Sequence, residues 1–206
     1  DISALTTPPT GRQEIRTLLR PRTPDLVREG IRRELARGGQ VFFLHNRVQT
    51  IDRVHREIAA LVPEARTIVG HGQMPERQLE RNMQVFVSGG ADILISTSII
   101  ESGLDIPRAN TIFIDRADRF GLADLHQLRG RVGRYRHQAC AYLLYDAHNP
   151  PRGDAALRLK ALEELSGLGA GFQIAMRDLE IRGAGNILGP QQSGHIAAVG
   201  YDMYCR

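Results

Sequence analysis

The chain alternates short apolar runs with longer stretches in which apolar residues recur every three or four positions. "VFFLH" (41–45), "RTIVG" (66–70), "ADILIST" (91–97), "NTIFID" (110–115) and "ACAYLLYD" (139–146) have strand length and few polar interruptions. The stretches between them read as helices. In "TPDLVREGIRRELARGG", Val27, Ile31 and Leu35 stand four apart, Thr23 can cap the start, Pro24 suits the first position, and Gly38-Gly39 ends the helix. "QTIDRVHREIAALV" places Ile51, Val54, Ile58 and Leu61 on one face, and "PERQLERNMQVFVSGG" predicts a helix from Pro75 to Gly89-Gly90. A further helix is expected from Ala123 through the arginine-rich "HQLRGRVGRYR" (126–136).

Strands that are apolar throughout are buried on both faces, so this alternation predicts an α/β fold, a parallel sheet with helices on both faces. Ligands in such sheets gather beyond the carboxyl ends of the strands. That rule singles out "HNR" (45–47), "GHGQM" (70–74), "STSIIESGLDIP" (96–107) and the loop ahead of the arginine helix. Residues 1–22, opening on "DISALTTPPTGRQ", read as an extended incoming linker, and 23–150 as the α/β domain. After 150 the strand pattern stops. Residues 151–206 read as a small helical appendage with a glycine-rich loop.

Hydrophobic content of 42% and charged content of 24% place the 206-residue chain in the soluble globular class. No apolar run approaches the roughly 20 residues that span a bilayer. Cys140 and Cys205 have no paired spacing, which suits a reducing compartment better than a disulfide or zinc framework. The seven histidines are scattered, and no metal site is expected. Lys160 is the only lysine among 27 basic residues. A P-loop needs a lysine behind its glycine-rich turn, and Lys160 lies between Leu159 and Ala161, so the chain contains none. The excess of arginine fits bidentate phosphate recognition and fits an arginine-biased genome equally, since composition does not separate the two.

Arg131 and Arg134 stand three apart, so one helix would carry both guanidinium groups on one side. There they could stabilise charge developing on a transferring phosphoryl group. Gly130 and Gly133 would leave that face bare for a close approach, although a solvated basic helix face is the plainer alternative. Thr97 leaves a buried strand, the loop turns at Gly103, and Asp105 is offered before Pro107. A carboxylate there can accept from ribose hydroxyls, while Thr97 and the loop amides can hold a phosphate oxygen. For His45 and His71 a structural role is the simpler reading.

"FFLHN", "IVGHGQM", "ISTSIIESGLDIP" and "FGLADLHQLRGRVGR", in this order, resemble motifs IV, IVa, V and VI of the second RecA-like lobe of superfamily 2 helicases. "GFQIAMRDLEIRGAGNILGPQQSG" resembles the translocation (TRG) motif shared by RecG and the transcription-repair coupling factors, and "VGYDMY" is closer to the latter. The resemblance implies a RecA-like sheet followed by a helical hairpin and loop. It implies that the chain is part of a larger motor whose first lobe, in cis, carries the P-loop and the magnesium-binding acidic motif. Arg131, Arg134 and Gln127 would then complete the ATP site of that lobe, with Gly103 and Asp105 touching the nucleotide. Asn46, Arg47, His71, Gly72 and Thr97 match positions that hold phosphates of one strand of double-stranded DNA. Arg177, Asp178, Arg182 and Gln192 match polar positions of the translocation motif, the first three as an ion-pair relay between hairpin and lobe.

Membership of that family implies an ATP- and Mg²⁺-dependent duplex-DNA translocase in transcription-coupled repair. It would be bacterial, cytoplasmic and nucleoid-associated, would act on RNA polymerase and excision-repair proteins through other domains, and would have no membrane partner. The isolated piece would not hydrolyse ATP. Three alternatives stand beside this reading: a RecG-type branched-DNA helicase lobe, an RNA helicase lobe, and a basic nucleic-acid-binding module uncoupled from ATP.

Overall fold

The computed structural model describes residues 14–97, 108–133, 137–165 and 170–182. Six strands form one sheet: β1 (Arg16–Pro21), β2 (Gln40–Leu44), β3 (Thr67–Gly70), β4 (Ile93–Ser96), β5 (Ala109–Ile114) and β6 (Cys140–Tyr145). Their spatial order is β1-β6-β5-β2-β4-β3, and every pairing is parallel. Helices α1 (Pro24–Ala36), α2 (Val48–Leu61), α3 (Glu76–Val87), α4 (Leu122–Arg129), α5 (Gly153–Glu164) and α6 (Ala170–Arg182) complete the fold, with a 3-10 turn at Ala117–Arg119.

Five of the six strands coincide with the apolar runs. The sixth, β1, lies inside the segment expected to be a linker and pairs with β6 from Arg16↔Cys140 to Pro21↔Tyr145. An edge strand is covered on fewer sides than a central one, so Arg16 and Arg20 interrupt its apolar pattern and conceal it.

Alternate residues of each central strand feed two cores, as the two-residue period of a strand requires. Phe42, Leu44, Leu94, Ile112, Ile114 and Leu143 meet α3, α4, α5 and α6 on one side. Val41, Phe43, Ile93, Ile95, Phe113 and Tyr142 meet α1 and α2 on the other. Leu159, Leu162, Ala170 and Ile174 of the terminal helices belong to the first of these cores, so α5 and α6 are built onto the sheet domain. The start of α1 is as expected: Thr23 is its N-cap, its hydroxyl accepts from Leu26 N–H, and Pro24 follows.

On the α1 side the rings of Phe43, Phe113 and Tyr142 stack across β2, β5 and β6, with centroid separations of 5.8 and 4.5 Å. Gly30 of α1 lies on this stack. A Cβ there would fall 2.6 Å from Phe113 Cζ and 3.3 Å from Tyr142 Cζ. Exchanging glycine for alanine inside a helix ordinarily gains up to about 1 kcal/mol. Here the ring is wedged between two others and cannot give way, so overpacking wins. Gly30→Ala is expected to destabilise the fold by about 1–3 kcal/mol, read as a lower urea midpoint, and a higher midpoint would refute the close-contact argument.

Candidate functional site

The residues after β2, β4 and β3 come out side by side. Leu44 pairs with Ser96, and Ser96 with Gly70, so His45, Thr97 and His71 each stand one step past a common level. Asn46 and Arg47 are exposed on the turn into α2, Gly72 is exposed, His71 is half-buried, and Thr97 is buried. Two polar atoms here, Ser96 Oγ and His71 Nδ1, are buried without a hydrogen-bond partner. No side chain caps the N-terminus of α2, whose N-cap residue is Arg47. A fourteen-residue helix therefore directs its positive end to the same edge. All five residues expected to hold phosphates thus gather along one strip.

The arginine cluster folds differently from the expectation of a single helix. α4 stops at Arg129, where the Gly130 N–H bonds to the His126 and Leu128 carbonyls. Gly133 has φ +94, and a Cβ on it would lie 3.2 Å from Ile15 Cγ1 and 3.3 Å from Ala139 Cβ. Its missing side chain therefore serves contact with the start of β1 and β6, not the approach of a partner. Gln127 is exposed on the last turn of α4, and Arg131 is half-buried in the turn beyond it. Arg134, Gly103, Asp105, Gln192 and the Arg182 side chain lie outside the described residues.

Arg129 is not among the candidates the sequence offers, yet it is firmly engaged. It is only 3% exposed, and its guanidinium donates to the carbonyls of Leu165 (2.8 Å) and Leu162 (3.1 Å) at the end of α5. A longer contact reaches Thr17 Oγ1 in β1 at 3.5 Å, and Nη2 meets His126 Nδ1 at 3.0 Å. Burial first, and then the Arg129 charge, push His126 below its ordinary value, and because a guanidinium can only donate, its partner Nδ1 accepts. Arg177 bonds Glu180, one turn further along its own helix (2.9 Å). Asp178 is half-buried. The relay expected of Arg177, Asp178 and Arg182 runs through the Arg182 side chain, which lies outside the described residues; within them Arg129 makes a lobe-to-hairpin bond. In the sequence a preceding glycine marks Arg131 and Arg134, whereas Arg129 is marked by burial, which the sequence does not carry.

A second polar cluster lies where β2 and β5 run side by side. β2 continues into α2 on one face of the sheet and β5 into α4 on the other, so a crevice opens between their carboxyl ends. His45 Nδ1 meets Asp115 Oδ2 at 2.7 Å, and His45 Nε2 meets Thr50 Oγ1 at 2.7 Å. Arg22 pairs with Asp115 (3.5 Å) and with Glu57 of α2 (2.9 Å). Burial alone would raise the Asp115 carboxyl, but the His45 hydrogen bond and the Arg22 and Arg116 charges outweigh it and hold it below the usual carboxylate range.

The helicase conserved C-terminal domain family matches residues 23–136. The chain belongs to that family. It is 55% identical over 204 residues to the transcription-repair-coupling factor of Haemophilus influenzae and 52% identical to that of Escherichia coli. Each alignment covers 99% of this chain and 18% of the relative, so the chain spans less than a fifth of the curated relatives it matches. Among solved structures, RecG bound to a three-way DNA junction superposes with a TM-score of 0.75 at 35% identity, covering 95% of this chain and 26% of RecG. These likenesses run past the helicase C-terminal lobe itself and through α5 and α6.

Proposed function

We propose that this lobe is the second motor lobe, with its translocation hairpin, of an ATP-dependent duplex-DNA translocase acting in transcription-coupled repair. The observation that carries the reading is identity above half, held from the sheet through the hairpin, with proteins of that name. Asn46, Arg47, His71, Gly72 and Thr97 hold successive phosphates of one strand, which tracks the backbone without reading sequence. Their common strip, the helix end behind Arg47 and the two orphan polar atoms support this assignment.

Gln127, Arg131 and Arg134, with Gly103 and Asp105, complete a nucleotide site whose P-loop and Mg²⁺ lie on the first lobe. The exposed Gln127 and the half-buried Arg131 fit as donors to phosphate oxygens. Bound ATP supplies the free energy of phosphoanhydride hydrolysis. Arg177, Asp178, Arg182 and Gln192 act on the hairpin side, and the isolated lobe hydrolyses no ATP. In the bacterial cytoplasm, on the nucleoid, the parent protein would release stalled RNA polymerase and recruit excision-repair proteins through its remaining regions.

The likeness to RecG favours one second reading, a branched-DNA helicase lobe. A single assay separates the two. The full-length parent protein should strip a triplex-forming oligonucleotide from linear duplex DNA with ATP and not with a non-hydrolysable analogue. Absence of displacement alongside ready unwinding of a three-way junction would transfer the lobe to the second reading.

A further inference from the structure

His45 has every polar atom engaged. Its N–H donates to the Ser96 carbonyl (2.8 Å), and its own carbonyl accepts from Arg47 N–H (2.8 Å). Its ring nitrogens engage Asp115 and Thr50. These four bonds reach β4, the turn itself, the end of β5 and the first turn of α2. Asn46 and Arg47 are exposed, and they project from the turn so secured. Asp115 is itself fixed, because its N–H donates to the Leu44 carbonyl (2.9 Å) and its carboxylate faces Arg22. Arg22 in turn holds Glu57, two turns further along α2. α2 is therefore fastened to the carboxyl edge of the sheet at two points, and both fastenings pass through Asp115.

We propose that His45, held between Asp115 and Thr50, is a positioning residue that sets the Asn46–Arg47 turn for its grip on a DNA phosphate. The inference rests on the DNA-backbone reading of Asn46 and Arg47. Two hydrogen bonds on opposite sides of the ring remove its rotational freedom, and the short link from His45 O to Arg47 N carries that fixity into the turn. Side chains held in advance lose less entropy when they bind. A fixed turn therefore lowers the DNA concentration needed for engagement and leaves the chemical step untouched. The imidazole never meets the DNA.

The test is DNA-stimulated ATP hydrolysis by the full-length parent protein, titrated with linear duplex DNA. Thr50→Val keeps the side chain's shape and deletes the hydroxyl, with both its bond to His45 (2.7 Å) and its 3.5 Å contact with the Arg47 carbonyl. His45→Gln leaves that contact and should shift half-saturation the same way. Thr50→Ser restores the hydroxyl, and Arg47→Ala reports on the phosphate grip directly. Thr50→Val should raise the half-saturating DNA concentration about tenfold. Its rate at saturating DNA should stay within about twofold of the parent, and Thr50→Ser should return the half-saturation point. A rise with Arg47→Ala but none with Thr50→Val overturns the positioning role and spares the DNA reading. No rise with Arg47→Ala overturns both. A fall in the saturating rate of Thr50→Val at unchanged half-saturation also overturns the proposal, since it marks a general structural role.

Discussion

Arg131→Ala in the full-length parent protein should lower the rate of ATP turnover by about a thousandfold or more, the range found for a lost arginine finger. Nucleotide binding should change by less than about tenfold, because a group that meets charge developing on the transferred phosphoryl acts in the transition state and adds little to the ground state. The physical case is one of position. α4 ends at Arg129, Gly130 caps it, and Arg131 stands just past the helix, while Gln127 is exposed on its last turn. The chain has no P-loop lysine, so on the proposed reading arginine is the cation this lobe brings to the nucleotide. Turnover in single-turnover assays and affinity from a fluorescent nucleotide titration separate the two quantities. Near-normal turnover would remove Arg131 from the nucleotide site.

Arg129→Ala should act on the fold before it acts on activity. The last carbonyls of a helix have no partner within it, and at the end of α5 two of them are met by this one buried guanidinium. Truncation leaves the Leu162 and Leu165 carbonyls without their donor in a site water reaches poorly. Orphaning buried acceptors that had a charged donor is expected to cost about 3 kcal/mol in total. For a chain of this size that corresponds to a fall in Tm of roughly 6–12 °C. Arg129→Lys should recover only part of the loss, since one ammonium can replace Nη1 at the two carbonyls but has no second nitrogen to meet His126 as Nη2 does. Hydrogen exchange adds a local reading: amides at the end of α5 and in α6 should open before those of β2 and β5. Uniform opening would mean that Arg129 does not tie these helices to α4.

The local signals in the sequence were strong wherever they were short-range. Thr23 and Pro24 start α1, the spacing of Ile51, Val54 and Ile58 turns one face of α2 inward, and the five apolar runs become the four inner strands and the edge strand β3. Each depends on neighbours within a turn or two, so composition and spacing suffice. The candidate phosphate residues were legible for a related reason: in a parallel sheet every carboxyl end points the same way, and the residues after adjacent strands must share an edge.

Three matters needed the third dimension. β1 becomes a strand by pairing with β6, more than a hundred residues away, and with Arg16 and Arg20 in it this strand carries too little apolar pattern to announce itself. The arginine stretch reads as continuous, but α4 ends at Arg129, and beyond it Gly133 adopts a left-handed conformation and abuts Ile15 and Ala139, which no continued helix allows. Four arginines of one cluster are chemically identical in sequence, and only the approach of α5 makes Arg129 a buried fastener while Arg131 stays at the turn. Likewise His45 and Asp115, seventy residues apart, meet because β2 and β5 are neighbours. By itself the sequence determined most of the helices, five of the six strands and the edge where chemistry gathers, since backbone preference and hydrophobic period act locally. Which polar side chain supports and which one reaches outward was decided by tertiary contact, because burial and hydrogen-bond partners are properties of residues brought together from distant parts of the chain.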